Sequence, residues 1–192
     1  MYGTDKEAAT PDEATKMSKP FYADRSLMLR RAEAGLNALE SQPQVDKTRM
    51  GAVGYCFGGA AALELARHGA DDLKGVVSFH GNLATPNPAK PGEVKAEVLA
   101  LNGADDKFVS KDERENFIKE MTAAKAKFQS IDYPGATHAF TNPAATDLGK
   151  KFNLPIAYNE TADKQSWDEM KKFFGRLFGA AEAAPATNTV TP

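Results

Sequence analysis

The stretch Gly54-Tyr55-Cys56-Phe57-Gly58-Gly59 constrains this chain more than any other, because it joins an apolar run to an alanine-rich one through a turn packed with glycine. The apolar residues Met50, Ala52, Val53 and Tyr55 precede it, and Ala60 to Ala66 follow. Apolar run, glycine turn and small residues together predict strand, sharp turn and helix. The turn holds the only cysteine of the chain. A reactive side chain at such a turn sits in strained backbone, and Gly54, Gly58 and Gly59 are expected to remove the bulk that would clash around it. A free thiol has a pKa of about 8.5. At a helix start, unpaired N–H groups and the helix dipole favour its charged form. The N–H of Phe57 is then placed to donate to an oxyanion. The competing reading is an inert core cysteine, since free cysteine is among the most buried residue types. Phosphate binding is excluded by spacing: there is no Gly-x-Gly-x-x-Gly, and no Lys-Ser or Lys-Thr follows.

A nucleophile on a strand–helix elbow needs a base and an orienting acid, which in α/β-hydrolases follow it in the order acid, then histidine. The chain has three histidines. His138 lies in Tyr133-Pro134-Gly135-Ala136-Thr137-His138-Ala139-Phe140, just after the strand-like run Phe128 to Tyr133. His68 ends the elbow helix before Gly69, where the helix dipole accounts for it. His80, after the apolar run Gly75 to Phe79, is the rival base. For the acid, Val94 to Leu101 empties into Asn102-Gly103-Ala104-Asp105-Asp106-Lys107-Phe108-Val109. The pattern Gly-x-x-Asp-x-x-Val favours Asp106, with Gly103 turning and Val109 re-entering the core. Asp105 is the alternative and otherwise an ordinary turn aspartate.

With these motifs in order, the chain resembles the dienelactone hydrolase family. The resemblance rests on Gly-Tyr-Cys-Phe-Gly-Gly, Gly-Ala-Asp-Asp-Lys-Phe-Val and Pro-Gly-Ala-Thr-His-Ala-Phe-Thr-Asn-Pro, with Tyr158 and Ser166-Trp167 in support. It implies a catalytic Cys56–His138–Asp106 triad that cleaves a small carboxylic ester or lactone through a cysteine thioester, with Phe57 as an oxyanion donor. In that reading His138 takes the thiol proton and later activates water, while Asp106 fixes its tautomer.

Two departures from the family qualify the expectation. Before Met50 lie a segment opening Thr10-Pro11-Asp12-Glu13, which has the form of a capping box, and a helical run from Arg25 to Glu40. The run carries Leu29, Ala32, Leu36 and Leu39 on one face. Neither segment reads as a strand, so the chain reads as a member lacking its N-terminal strands. The family's early oxyanion donor, and the glutamate that partners its cysteine, have no counterpart. The strand Met50 to Tyr55 would be left with an open edge, a route to self-association. The second departure concerns the substrate. The family implies arginines that grip a substrate carboxylate, but the corresponding positions hold Asn142 and Gly3-Thr4. A less charged ester or lactone is therefore the expected substrate. The rival hypothesis is a catalytically impaired or non-catalytic protein that keeps the hydrolase fold.

The fold expected is α/β, an α/β-hydrolase-type mostly parallel sheet flanked by helices, N-terminally incomplete, over residues 1–178. Its strands lie near Met50–Tyr55, Lys74–Phe79, Val94–Leu101 and Phe128–Tyr133. Ser110-Lys111-Asp112-Glu113 forms a second capping box, opening a helix with Phe117, Met121 and Ala124 inward. The last helix carries Trp167, Met170, Phe174 and Leu177 on one stripe, read as core packing. The loop Ala84–Pro91 reads as a rigid solvent segment beside the site, with shaping of substrate access as the alternative. The Ala/Pro/Thr tail at 179–192 is expected to be disordered.

Net charge of −2 with interspersed signs implies no nucleic-acid surface, and Lys125 to Lys127 and Lys171-Lys172 read as solvated helix face. One cysteine and scattered histidines suggest no disulfide framework, metal or other cofactor. No apolar stretch approaches the ~20 residues of a membrane span. Met1 to Lys19 is polar, unlike a signal peptide. The cytoplasm is the default compartment, with the periplasm or export expected if a leader precedes the chain.

Overall fold

The computed structural model describes residues 1–179 and contains a parallel sheet of strands β1 (Met50–Tyr55), β2 (Leu73–Phe79), β3 (Glu97–Gly103) and β4 (Phe128–Tyr133). They lie side by side in chain order. Tyr55 pairs with Phe79, Phe79 with Leu101, and Leu101 with Ile131. All four strands therefore end at one edge of the sheet, where the turns that follow them meet. Three expected strands match to within a residue. The third begins at Glu97 rather than Val94, because Val94 to Ala96 still belong to the loop.

Helices cover both faces of the sheet. On one side α1 (Pro11–Ala23), α2 (Arg25–Glu40), α3 (Phe57–Arg67) and α4 (Lys111–Ala123) lie against the sheet or one another; on the other lies α6 (Glu160–Phe178), with the short α5 (Ala145–Phe152) beside the histidine loop. Alternation along the strands divides the core accordingly. Val76, Val98 and Ala100 pack with Leu63, Ala66, Phe117 and Met121. Val77, Leu99 and Leu101 pack with Phe140, Met170 and Phe173. Both capping boxes are borne out in their central bond: Thr10 and Ser110 accept from the N–H of Glu13 and Glu113. The Glu13 carboxylate reaches back one residue further, to the N–H of Ala9.

Two helix faces differ from expectation. On α2 the fully buried residue is Met28, while Leu39 is exposed; Leu29, Ala32 and Leu36 are partly buried on the core. On α6 the buried stripe is Ala162, Ser166, Met170 and Phe173, spaced four, four and three residues apart. Of the expected stripe, Met170 is buried in the core and Phe174 and Leu177 pack partly buried against it, while Trp167 is 48 % exposed. Lys125 and Lys127 are exposed but follow α4 rather than lying on it, with Ala126 between them packed partly buried on the core. The expected tail lies beyond Gly179, outside the described residues. No described helix is long and apolar enough to cross a membrane.

The β2-to-β3 crossover is made by the proline-bearing loop instead of a helix, and buried or half-buried charges hold it. Glu113 accepts from the N–H groups of Leu83 and Ala84 and from the Asn82 amide. Glu120 accepts from the N–H of Ala89 and pairs with Arg67, which also donates to the Leu83 carbonyl. The loop, with α4, lines a cavity of about 360 Å³, separate from the cleft at Cys56.

The glycines of the elbow are not equivalent. A Cβ on Gly54 would overlap the backbone of Gly58, and one on Gly59 would meet Ser78 Oγ at 2.5 Å. At Gly58 the space is open, so the expectation that its missing side chain relieves a clash is not met there. Gly54→Ala should therefore destabilise the fold by about 1–3 kcal/mol or more. Gly58→Ala should be neutral or stabilising by up to about 1 kcal/mol, since alanine is the better helix former. Chemical denaturation of the two variants checks this, and equal losses would contradict it.

Candidate active site

Cys56 sits at the end of β1 and caps α3, with φ 52° and ψ −118°, a backbone conformation that L-residues rarely adopt. The turn is held from two sides. The N–H of Cys56 donates to the Phe79 carbonyl at 3.0 Å, tying it to the sheet. Its neighbour Phe57 is ringed by Tyr2, Phe21 and Tyr22, each with its ring centroid within 5.7 Å. The N-terminal segment and α1 thus brace the elbow, a role their sequence did not disclose.

The structure brings three of the expected residues together. His138 Nε2 lies 3.1 Å from Cys56 Sγ, and His138 Nδ1–H donates to Asp106 Oδ2 at 2.8 Å. The other oxygen of Asp106 accepts from the N–H groups of Phe108 and Val109 at 2.7 and 3.2 Å. Asp106 is buried while Asp105 faces solvent, which separates the two candidates by geometry. Arg114, from α4, donates to the carbonyls of Ala104 and Val109, on either side of Asp106, and to Asp132. It clamps the acid turn. The histidine loop is tied to the same turn, because Asp105 N–H donates to the Ala136 carbonyl and a Cβ on Gly103 would overlap that carbonyl.

The other histidines lie elsewhere. His68 closes α3 and donates from Nδ1 to the Glu64 carbonyl. His80 is buried, its Nε2 2.9 Å from Thr141 Oγ1, and its ring packs edge-on against that of His138 at 5.0 Å. Burial, reinforced by the His138 charge, pushes its pKa down to about 3, so it stays neutral. It supports the His138 ring rather than reaching the thiol.

Burial works against charge on both members of the Cys56–His138 pair, but their partners outweigh it. The Asp106 and Cys56 hydrogen bonds raise His138 to about 9. The His138 hydrogen bond and charge, with the N–H of Phe57, bring Cys56 below its ordinary value. Thiolate and imidazolium stabilise one another. The pair opens onto a cleft of about 570 Å³ whose lining includes Tyr55, His80, Thr141, Asn142, Asp163 and Trp167. Tyr55, Thr141, Asp163 and Trp167 were not singled out for the site from sequence. The four-residue spacing of Asp163 and Trp167, off the buried stripe of α6, is the signal that would have found them.

A family model described as the dienelactone hydrolase family matches residues 1–178. The chain belongs to the dienelactone hydrolase family. Among relatives of this dienelactone hydrolase-family chain, an uncharacterised protein of Caenorhabditis elegans is 37% identical over 159 residues, covering 81% of this chain and 98% of the nematode protein. A candidate carboxymethylenebutenolidase of Salmonella typhimurium is 28% identical over 70% of the chain, which spans only 48% of that relative's length. Among solved structures, a dienelactone hydrolase-like promiscuous phosphotriesterase from metagenomic libraries superposes with a TM-score of 0.80 at 33% identity, covering 90% of this chain and 71% of that one. The sheet and its flanking helices are those of the α/β-hydrolase fold.

A lowered Cys56 pKa means that thiolate persists at pH values where an ordinary thiol is protonated. The rate of iodoacetamide alkylation should fall with a midpoint below the ~8.5 of a free thiol. His138→Ala should move that midpoint upward. A wild-type midpoint at or above the free-thiol value would contradict the ion pair.

Proposed function

We propose that this protein hydrolyses a small carboxylic ester or lactone through a thioester on Cys56. The observation that carries the reading is the continuous hydrogen-bonded chain Asp106–His138–Cys56 at the mouth of a cleft. The thiolate attacks the carbonyl carbon, forming a C–S bond, and the carbonyl electrons move onto oxygen. The N–H of Phe57 is available to that oxyanion. As the oxyanion collapses, the C–O bond breaks and the leaving alkoxide takes the proton from His138 Nε2. Neutral His138 then removes a proton from water, which attacks the thioester; the acid product leaves and the thiolate–imidazolium pair returns. Asp106 holds Nδ1–H throughout, so Nε2 always faces the sulfur.

The substrate is expected to be a small molecule without a carboxylate, because no lysine or arginine among the described residues lines the cleft and Asn142 stands there instead. The Salmonella relative's printed name points to carboxymethylenebutenolide as one ligand to test against uncharged esters. The competing reading, a protein that keeps the fold but assembles rather than catalyses, is favoured by the open edge of β1. Among the described residues that strand pairs only with β2, and it exposes Val53 and Tyr55.

Turnover of p-nitrophenyl acetate separates the readings. Cys56→Ala should abolish it and Cys56→Ser leave a small residue, since serine needs stronger base assistance. His138→Ala should cost nearly as much, and the double variant little more. Asp106→Asn should lose activity by a factor on the order of 10⁴ if it sets the tautomer, with Asp105→Asn mild. Retained turnover in Cys56→Ala would refute the nucleophile assignment. A chain that elutes as an oligomer and shows no Cys56-dependent turnover would favour the assembly reading.

A further inference from the structure

Several large apolar side chains are exposed on the described surface, and three of them gather around the Cys56–His138 pair. Tyr55 directly precedes the cysteine, is 42 % exposed, and stacks its inner face on Phe79 with ring centroids 4.6 Å apart. Phe108 packs edge-on against His138 at 5.0 Å and is 49 % exposed. Trp167 faces the cleft from α6. None of these rings completes a core cluster, and exposing aromatic surface to water is unfavourable unless something covers it.

The charge around the cleft is one-sided. Asp163 sits one helical turn before Trp167 on the same face of α6, and it is the only acidic or basic side chain among the cleft's described lining apart from Cys56 and the neutral His80. It is held in place by the hydroxyl of Tyr158, which donates to it at 3.0 Å. The thiolate and imidazolium cancel one another, which leaves the carboxylates of Asp106, buried, and Asp163, half-buried at the cleft.

We propose that Tyr55 and Trp167 form an aromatic clamp, and that Asp163 is a charge filter, so that the substrate is an aromatic ester carrying no negative charge. The proposal rests on the hydrolase reading and names its substrate class. A planar ring in the cleft covers the exposed faces of Tyr55 and Trp167, and an aromatic contact contributes beyond simple burial. A cationic or neutral ring is accepted beside Asp163, while an anionic one meets a like charge, with no lysine or arginine among the described residues that line the cleft to offset it.

Trp167 is the only tryptophan of the chain, so its fluorescence reports binding without any need for turnover. In the wild-type protein, where the Cys56–His138 pair is intact, titration with benzyltrimethylammonium, benzyl alcohol and phenylacetate, none of them an ester, should change that fluorescence. The cation should bind at least as tightly as the alcohol, and phenylacetate about two- to five-fold more weakly. Asp163→Asn keeps the acceptor for Tyr158 and should bring the three affinities together. In turnover, Trp167→Ala should lower the ratio of kcat/KM for phenyl acetate to that for ethyl acetate by about two- to ten-fold. Phenylacetate binding as tightly as the cation, a fluorescence signal indifferent to all three ligands, or an unchanged aryl-to-alkyl ratio would overturn the clamp. If ester turnover depends on Cys56 while those results fail, the clamp alone is wrong. If turnover survives Cys56→Ala, the hydrolase assignment falls while the ligand titration still decides the clamp.

Discussion

The structure depends on the close approach of two backbone segments, the end of β1 and the first turn of α3. Gly54 permits it, because any Cβ there would overlap Gly58. Cys56 is then forced to φ 52°, a conformation that costs on the order of 1–3 kcal/mol for a residue with a side chain. Such strain persists only where surrounding contacts over-determine it. Here they are the Cys56 N–H bond to Phe79, and the aromatic collar of Tyr2, Phe21 and Tyr22 around Phe57. The cost of the turn places the thiol above the strand ends, next to the free N–H groups of a helix start. Positive φ recurs at His80 and Ala139, in the two turns that meet Cys56.

Around that elbow, charged side chains position loops that have no regular structure of their own. Arg114 grips the backbone on both sides of Asp106, and Arg67 with Glu120 and Glu113 fastens the loop that replaces a crossover helix. Arg67 is 1 % exposed and Glu64 beside it is fully buried. Removing one partner of such a buried pair typically costs about 3–5 kcal/mol, because the other charge is left uncompensated. The rigidity of the acid turn therefore derives from α4, some residues downstream of it. That links the stability of the helix layer to the alignment of Asp106 with His138.

Much of the fold was legible because its signals are local. Apolar runs ending in glycine-rich turns marked the strands, and Thr10 and Ser110 marked helix starts through bonds only three residues long. Helix faces were less legible. On α6, Met170, Phe174 and Leu177 of the expected stripe do pack on the core, but Trp167 does not, and Ala162 and Ser166, small and easily overlooked, are buried there with them. A helix can sit close to a sheet where its residues are small, and hydrophobicity alone does not register that. The same small residues turn Trp167 and Asp163 toward the cleft.

The sequence by itself determined the strand–turn–helix elbow, the identity of its thiol, and the order of acid and histidine after it. These follow from glycine's missing side chain and from spacing along one segment. Only the tertiary structure decided which histidine reaches the sulfur and which aspartate holds it. Asp105 and Asp106 are chemically alike and adjacent, and they differ only in which side of the turn faces the histidine loop. It also decided that an aromatic helix residue faces the cleft instead of the core. Such choices depend on how elements far apart in the chain are rotated against one another, and no local pattern encodes that rotation.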